Sequence, residues 1–168
     1  MMQPVDHHLA EFNFGTLRYG WDDPRVADFV NNLELVNGIA EKSPGFIWRL
    51  TDEAMETAQA TADAVAIGDH RLASTLSVWM DLASLENFVW NTVHRQFYGR
   101  NAEWYDAVGN GNLVLWWVPV GHCPGFDEGM ARWQHRVANG ESDHAFGWSY
   151  LKEAQRWKTH QCNQLAAE

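Results

Sequence analysis

A tryptophan and a histidine four residues apart are the pair in this sequence best suited to chemistry on a small molecule. Trp90 and His94 share one face of any helix that contains both. An imidazole titrates near neutral pH, so His94 is a candidate general base for a substrate that is deprotonated before it reacts. Asn13, in the middle of an alternating segment, can donate a hydrogen bond to the oxyanion that forms. The alternative is that His94 hydrogen-bonds a loop and Trp90 belongs to the core.

Aromatic residues are the second unusual feature, since ten tryptophans contribute to an aromatic share of 13%. Such rings fill a core or interface, or line a cavity for a flat apolar ligand. Consecutive strand residues point to opposite faces of a sheet, so one residue of the pair Trp48–Arg49 and one of the pair Trp116–Trp117 are expected to face the helices. Arg49 is a candidate for binding a substrate carboxylate or phenolate; the alternative is an ion pair with an acidic residue across a dimer. The predicted substrate-binding residues are Phe12, Trp48, Arg49, Trp79, Trp116, Trp117 and His122.

Charge and cysteine content exclude several classes of function. The formal net charge is −10 and basic residues are scattered singly, which argues against a nucleic-acid partner. Cys123 and Cys162 are predicted to be free thiols in a reducing compartment. His122 beside Cys123 lacks further ligands at metal-site spacing, so no metal site is predicted. Without an export signal or an apolar run of about 18 residues, the expected location is cytoplasmic, with no membrane partner.

The hydrophobic pattern predicts four strands, two helices between them and a helical tail. The strands are expected over 7–14, 46–50, 72–80 and 113–118, and the helices over 24–41, from Ser84 onward, over 126–138 and over 142–160. Asp22 or Asp23 before Pro24 is the expected cap of the first helix, and Ser84 that of the second. The polar, alanine-rich segment 51–70 is interpreted as an excursion between strands and a candidate lid.

This order of elements is that of the ferredoxin-like split βαβ fold, an α+β antiparallel sheet with both helices on one face. The strand LVLWWV at 113–118 has no polar face, so the other face of the sheet needs a cover. The least costly cover is a second copy of the sheet, which predicts a homodimer. No repeat or linker divides the chain. Residues 1–168 are therefore predicted to form one domain, with 125–168 as a helical tail packed on it.

Five segments, in their joint order, resemble the family catalogued as domain of unknown function 3291. They are HLAEFNF at 8–14, DDPRVADFV at 22–30, SPGFIWRL at 43–50, LSVWMDLASLENFVW at 76–90 and LVLWWVPVGHCP at 113–124. The family looks like a branch of the dimeric α/β-barrel superfamily, whose other branches include antibiotic-biosynthesis and haem-degrading monooxygenases. The resemblance implies a dimeric α/β barrel. Asn13, Trp90 and His94 are similar to an Asn, Trp and His around the cavity of those relatives, with fewer residues between Trp and His.

Residues and resemblance together favour a small-molecule enzyme, a cofactor-free tailoring monooxygenase or cyclase acting on an apolar or aromatic substrate in a tryptophan-rich cavity. A second hypothesis is a haem-binding or haem-degrading protein with His94 as the iron ligand. A third is a non-catalytic carrier or sensor of an apolar ligand. The expected partners are a second copy of the chain and a small apolar or aromatic molecule.

Overall fold

The structure is a computed structural model that describes residues 2–61, 71–92, 95, 100–106, 112–152 and 154. Its strands are β1 (His7–Thr16), β2 (Phe46–Arg49), β3 (Leu72–Trp79) and β4 (Leu113–Pro119). Its helices are α1 (Ala27–Lys42), α2 (Asp52–Thr61), α3 (Leu82–Asn91), α4 (Asn101–Trp104) and α5 (Phe126–Asn139), followed by a 3-10 turn (Trp148–Tyr150). None of the described helices is long and apolar enough to cross a bilayer.

The four strands form one antiparallel sheet in the order β2-β3-β1-β4. This order confirms the predicted α+β, ferredoxin-like arrangement, in which β1 and β3 are central, β2 pairs with β3, and β4 pairs with β1. In the register of the central pair, Glu11 lies opposite Ser77 and Asn13 opposite Thr75. Because alternate residues of a strand share a face, these four side chains emerge on the same side of the sheet.

Helices α1 and α3 cover the side of the sheet that carries Leu9, Glu11 and Asn13, here called the α1/α3 face. Its apolar contacts join Leu9 to Leu85 and Phe88 of α3 and to residues of α1. The ring of Trp79 stacks on Phe88 with centroids 5.1 Å apart. The predicted placement of both crossover helices on one face is confirmed.

The opposite side, here called the α2/α5 face, is covered by two further helices of the same chain. Trp116 and Phe12 are fully buried there. Met55 of α2 and Phe126 of α5 pack against them, in a cluster that also includes Met130 and Trp133. The spacing of the α5 residues, at positions 126, 130 and 133, places them on one side of that helix. The chain therefore covers the face for which a second copy of the sheet was predicted.

Two of the expected segments differ from the observed ones. The segment 51–70 contains a regular helix, α2, and its residues 62–70 lie outside the described part. The helix predicted over 142–160 is absent from its described residues, where Phe146 instead forms an antiparallel bridge with Leu115. Two backbone bonds of 2.7 and 2.9 Å join this pair. Pairing with β4 satisfies backbone groups that a helix would have bonded internally.

The helix caps also differ from expectation. Asp81 caps α3, because its carboxylate accepts from the Ser84 backbone nitrogen at 2.8 Å, and the helix begins before the predicted cap. Asp23 does not cap α1. Its carboxylate binds the Arg25 guanidinium at 2.6 and 2.8 Å, and α1 begins after Val26 without a side-chain cap. The same carboxylate accepts from the Arg25 backbone nitrogen at 2.9 Å, so Asp23 stabilises the turn that precedes α1 rather than the first turn of the helix.

Two helical glycines provide a test of how α5 packs on the sheet. A Cβ at Gly129 would lie 2.8 Å from Cγ of the buried Phe12 ring, whereas a Cβ at Gly38 of α1 would meet nothing within 4 Å. Gly129→Ala should lower the free energy of unfolding by about 1–2 kcal/mol through overpacking. Gly38→Ala should raise it by about 0.5–1 kcal/mol, since alanine is the better helix former. Urea denaturation measures both, and equal stabilisation by the two changes would contradict the packing of α5 on Phe12.

Candidate functional site

A cavity of about 650 Å3 lies between the α1/α3 face of the sheet and the helices above it. Val36 and Ala40 of α1 and Leu85, Phe88 and Val89 of α3 form part of its apolar wall. The aromatic residues in the wall are Phe14, Phe29, Phe46, Trp79, Trp104, Tyr105 and Trp148. Its volume falls in the range of about 300–1,000 Å3 that is typical of small-molecule sites.

The sheet contributes a cluster of polar residues to this largely apolar space. Glu11 and Asn13 of β1 and Thr75 and Ser77 of β3 all line the cavity, and we call these four residues the polar floor. The strand register sets their arrangement, since Glu11 is opposite Ser77 and Asn13 is opposite Thr75. Arg49 of β2 is the next residue in the row beyond Ser77.

A directed set of hydrogen bonds holds the polar floor together. Trp79 Nε1 donates to Ser77 Oγ at 2.9 Å, and Ser77 Oγ donates to Glu11 Oε2 at 3.0 Å. An indole N–H can only donate, so the serine hydroxyl accepts from Trp79 and passes its own hydrogen to Glu11. Asn13 Nδ2 donates to Glu11 Oε1 and, at 2.8 Å, to Thr75 Oγ1. The two oxygens of the Glu11 carboxylate are therefore oriented by one donor from its own strand, Asn13, and one from β3, Ser77.

Glu11 is a buried acid whose ionisation falls near neutral pH. Burial is the main cause and raises its pKa from 4.5 to about 7, while the bonds from Asn13 and Ser77 oppose that rise. A carboxyl group with this pKa is populated in both forms at neutral pH. That is the condition under which a general base accepts a proton and later returns it.

Two groups of the polar floor still have hydrogen-bonding capacity. Asn13 uses both Nδ2 hydrogens on Glu11 and Thr75, so its Oδ1 remains an acceptor. Thr75 Oγ1 accepts from Asn13, which leaves its hydroxyl hydrogen as a donor. Thr75 is exposed within the open cavity. The floor thus presents a base, an acceptor and a donor within two neighbouring pairs of residues.

Arg49 forms ion pairs with acidic residues of its own chain, whereas the pair across a dimer stays a prediction. Arg49 Nε binds Glu41 Oε1 at 2.7 Å, and Nη1 binds Asp52 Oδ1 at 3.1 Å and the Leu50 carbonyl at 3.2 Å. The reason is local, because α1 and α2 each bring a carboxylate to the end of β2. Arg49 lines the cavity as part of this cluster.

Tyr105 closes another part of the wall. Its ring lies so close to β1 that a Cβ at Gly15 would be 2.5 Å from Tyr105 Cδ1. Burial raises the pKa of its hydroxyl above the ordinary value. Tyr105 therefore remains a neutral wall residue at physiological pH.

The cavity brings together three of the predicted site residues, which are Asn13, Arg49 and Trp79. Phe12, Trp48 and Trp116 lie on the α2/α5 face. The alternation of the strands places them there, since each is adjacent in sequence to a residue of the α1/α3 face.

The other predicted residues are outside the cavity wall or outside the described residues. Trp90 is buried in the core between α3 and the sheet, and Trp117 packs against that core beside Phe146. His122 is on the surface, where its Nε2 is 2.8 Å from Glu128 Oε2. His94, the predicted base or haem ligand, lies outside the described residues.

Glu11 and Ser77 were not identified from the sequence. A usable signal existed, because Glu11 interrupts an apolar alternation on the same face as Asn13. Acidic residues are almost never fully buried unless they are hydrogen-bonded or paired. An acid in the middle of a central strand therefore indicates a partner such as Ser77.

Within the part of the chain that the structure describes, no three His, Cys, Asp or Glu side chains converge as metal ligands. Haem ligation through His94 stays a prediction, since that residue is outside the description.

Comparison with known proteins identifies a family but no activity. The family described as "Domain of unknown function (DUF3291)" matches residues 8–162, which confirms the resemblance seen in the sequence. No curated protein matches the chain. A solved structure, the NE2512 protein of unknown function from Nitrosomonas europaea, is 10% identical, with a TM-score of 0.43 over 72% of this chain and 96% of that one.

Proposed function

The chain belongs to the family described as a domain of unknown function, DUF3291, and from its cavity we propose that it is a small-molecule enzyme acting on an apolar or aromatic substrate. Glu11 is the general base that removes a proton from this substrate. The observation that carries the proposal is the buried Glu11 carboxyl, oriented by Asn13 and Ser77 on the floor of an aromatic cavity. Proton removal is the first step of the cofactor-free monooxygenase or cyclase chemistry expected from the sequence.

The cavity walls suit the substrate class. The rings of Phe46, Trp79 and Trp104 all belong to the wall, so an apolar or aromatic molecule in the space replaces contact with water by contact with apolar side chains. The walls are largely apolar, so the polar floor provides the directed contacts that orient the substrate. Binding of this kind presents the acidic hydrogen of the substrate to Glu11.

Charge that develops on the substrate after proton removal requires a hydrogen-bond donor. The sequence assigned this role to Asn13, but both hydrogens of its amide are used on Glu11 and Thr75. The Thr75 hydroxyl retains a hydrogen and is exposed to the cavity. We therefore assign oxyanion stabilisation to Thr75 and the positioning of Glu11 to Asn13.

The homodimer, the dimeric α/β barrel and the superfamily relationship remain predictions. The haem hypothesis depends on His94, and no contact of the described residues favours it over the proton-transfer proposal. The carrier hypothesis shares the cavity and differs only in the absence of turnover, so one experiment on Glu11 separates it from the enzyme.

Proton exchange in a surrogate ketone tests the proposal without the natural substrate. β-Tetralone is an uncharged bicyclic ketone whose C–H beside the carbonyl is acidic, and its exchange in D2O is followed by NMR. The wild-type chain should accelerate exchange, and Glu11→Gln should reduce the acceleration by about 10²-fold or more, the usual contribution of a positioned base. Thr75→Val should reduce the maximal rate while the ketone still binds, because only the charged intermediate needs the hydroxyl.

Glu34→Gln is the matched control, since Glu34 is an exposed residue of α1 outside the cavity wall and loses the same charge. It should exchange β-tetralone at the wild-type rate. Full activity in Glu11→Gln would overturn the assignment of the base. Binding of β-tetralone without any wild-type acceleration would support the carrier instead.

A further inference from the structure

The charges around the cavity carry information about the charge of its ligand. We infer that the cavity selects an uncharged ligand with an O–H or N–H donor and discriminates against the carboxylate of the same shape. This inference rests on the proposed function and names the substrate class of that site. It reverses the role of Arg49 expected from the sequence, which was to bind a substrate carboxylate or phenolate.

The first observation is that two of the three arginines in the cavity wall already have anionic partners. Arg49 is bound by Glu41 and Asp52 at 2.7 and 3.1 Å, so its charge is balanced before a ligand arrives. Arg136 donates to the Leu113 carbonyl at 2.6 Å and lies 3.2 Å from Glu141 Oε1. A ligand carboxylate beside either group would therefore meet a protein carboxylate as well as the guanidinium, so it gains less than it would from an arginine without an acidic partner.

The third arginine of the wall, Arg18, lies at the solvent-exposed rim. It donates through Nε to the Tyr105 carbonyl at 2.9 Å, and its side chain is exposed. A charge bound there remains in contact with water, where ion pairs contribute little. An ion pair with Arg18 therefore does not offset the free-energy cost of moving a charged ligand from water into the interior of the cavity.

The polar floor itself repels an anion. Above pH 7, where Glu11 is ionised and only accepts, Asn13 offers its Oδ1 and the Thr75 hydroxyl is the one donor that the floor has left. A second carboxylate beside ionised Glu11 would meet like charge in an apolar surrounding of low dielectric. A ligand O–H or N–H group instead has two acceptors, Glu11 and Asn13. An uncharged ligand also avoids the cost of moving a charge out of water.

Three probes with the same bicyclic ring separate charge from hydrogen bonding. β-Naphthol has a hydroxyl donor, β-methoxynaphthalene has no donor and β-naphthoate has a negative charge. Calorimetric titration of the full chain just above the Glu11 pKa of about 7 gives their dissociation constants. We expect β-naphthol to bind about tenfold more tightly than β-methoxynaphthalene, which corresponds to one hydrogen bond to a charged acceptor. β-Naphthoate should bind most weakly.

Glu11→Gln should reduce the difference in affinity between β-naphthol and β-naphthoate, because the repelling charge is gone. Glu34→Gln should leave that difference unchanged. Binding of β-naphthoate as tight as that of β-naphthol would overturn the inference and leave the enzyme proposal intact. Failure of all three probes to bind would overturn both. Normal probe selectivity with no exchange of β-tetralone would support the inference and remove only the catalytic role of Glu11.

Discussion

Trp116→Ala should lower the free energy of unfolding by about 3–5 kcal/mol, the usual cost of emptying a large aromatic site in a core. Trp116 is fully buried on the α2/α5 face, and its Nε1 donates to Glu128 Oε1 at 3.0 Å. Removal of the ring leaves a hole between the sheet and α5. Chemical denaturation of both chains measures the difference.

Trp116→Phe is the graded control for this change. It keeps most of the buried ring and loses the bond to Glu128, so its cost should be about 1 kcal/mol. Because Trp116 is not a residue of the cavity wall, the affinity for β-naphthol should be unchanged in any folded Trp116 variant. An alanine variant no less stable than the phenylalanine variant would show that the site collapses, and selective loss of β-naphthol binding would place Trp116 in the site.

As the pH rises from below 4.5 to above 7, the free energy of unfolding of the wild type should fall by about 3 kcal/mol relative to that of Glu11→Gln. This value is the pKa rise of Glu11, from 4.5 to about 7, converted at about 1.4 kcal/mol per pH unit. The conversion applies because Glu11 is only 6% exposed. The folded state holds the Glu11 proton more tightly than the unfolded chain does. The stabilisation is therefore complete below pH 4.5 and is lost as pH rises through the folded pKa.

Glutamine does not titrate, so the other ionising groups largely cancel when the two chains are compared at each pH. Denaturation midpoints of both chains across this interval give the difference, and the carboxyl stretch in the infrared reports the protonation of Glu11 directly. A constant difference between wild type and Glu11→Gln would mean that Glu11 is hydrated in the folded protein.

The sheet was predictable because the alternation of residues within each strand is visible in a short stretch of sequence. The alternation of Leu9, Glu11 and Asn13 with their neighbours assigns each β1 residue to a face, and strand order follows from the split βαβ pattern. The cover of the α2/α5 face was not predictable in the same way. Helix α2 is rich in alanine and buries chiefly Met55, so its sequence lacks the apolar stripe that identifies an amphipathic helix.

Only part of the site was predictable, again because the cover of the sheet by helices is not visible in the sequence. Residue type and alternation are sufficient to assign Asn13 and Trp79 to a face of the sheet. They do not show whether helices cover the space above that face. That tertiary cover is what turns Glu11 from a solvated carboxylate into a base near neutral pH. The tryptophans were ambiguous because their size is compatible with either face, and only the register separates Trp116 from the cavity.

The bridge between Phe146 and Leu115 has a consequence for contacts between molecules. An unpaired outer strand offers its backbone groups as a template on which a strand of another chain can add, a common route to aggregation. The two backbone bonds to Phe146 occupy that template in the middle of β4. At the other side of the sheet, β2 has only four residues, too short to guide extended pairing. The segment after α5 therefore protects the sheet against strand addition as well as completing the core.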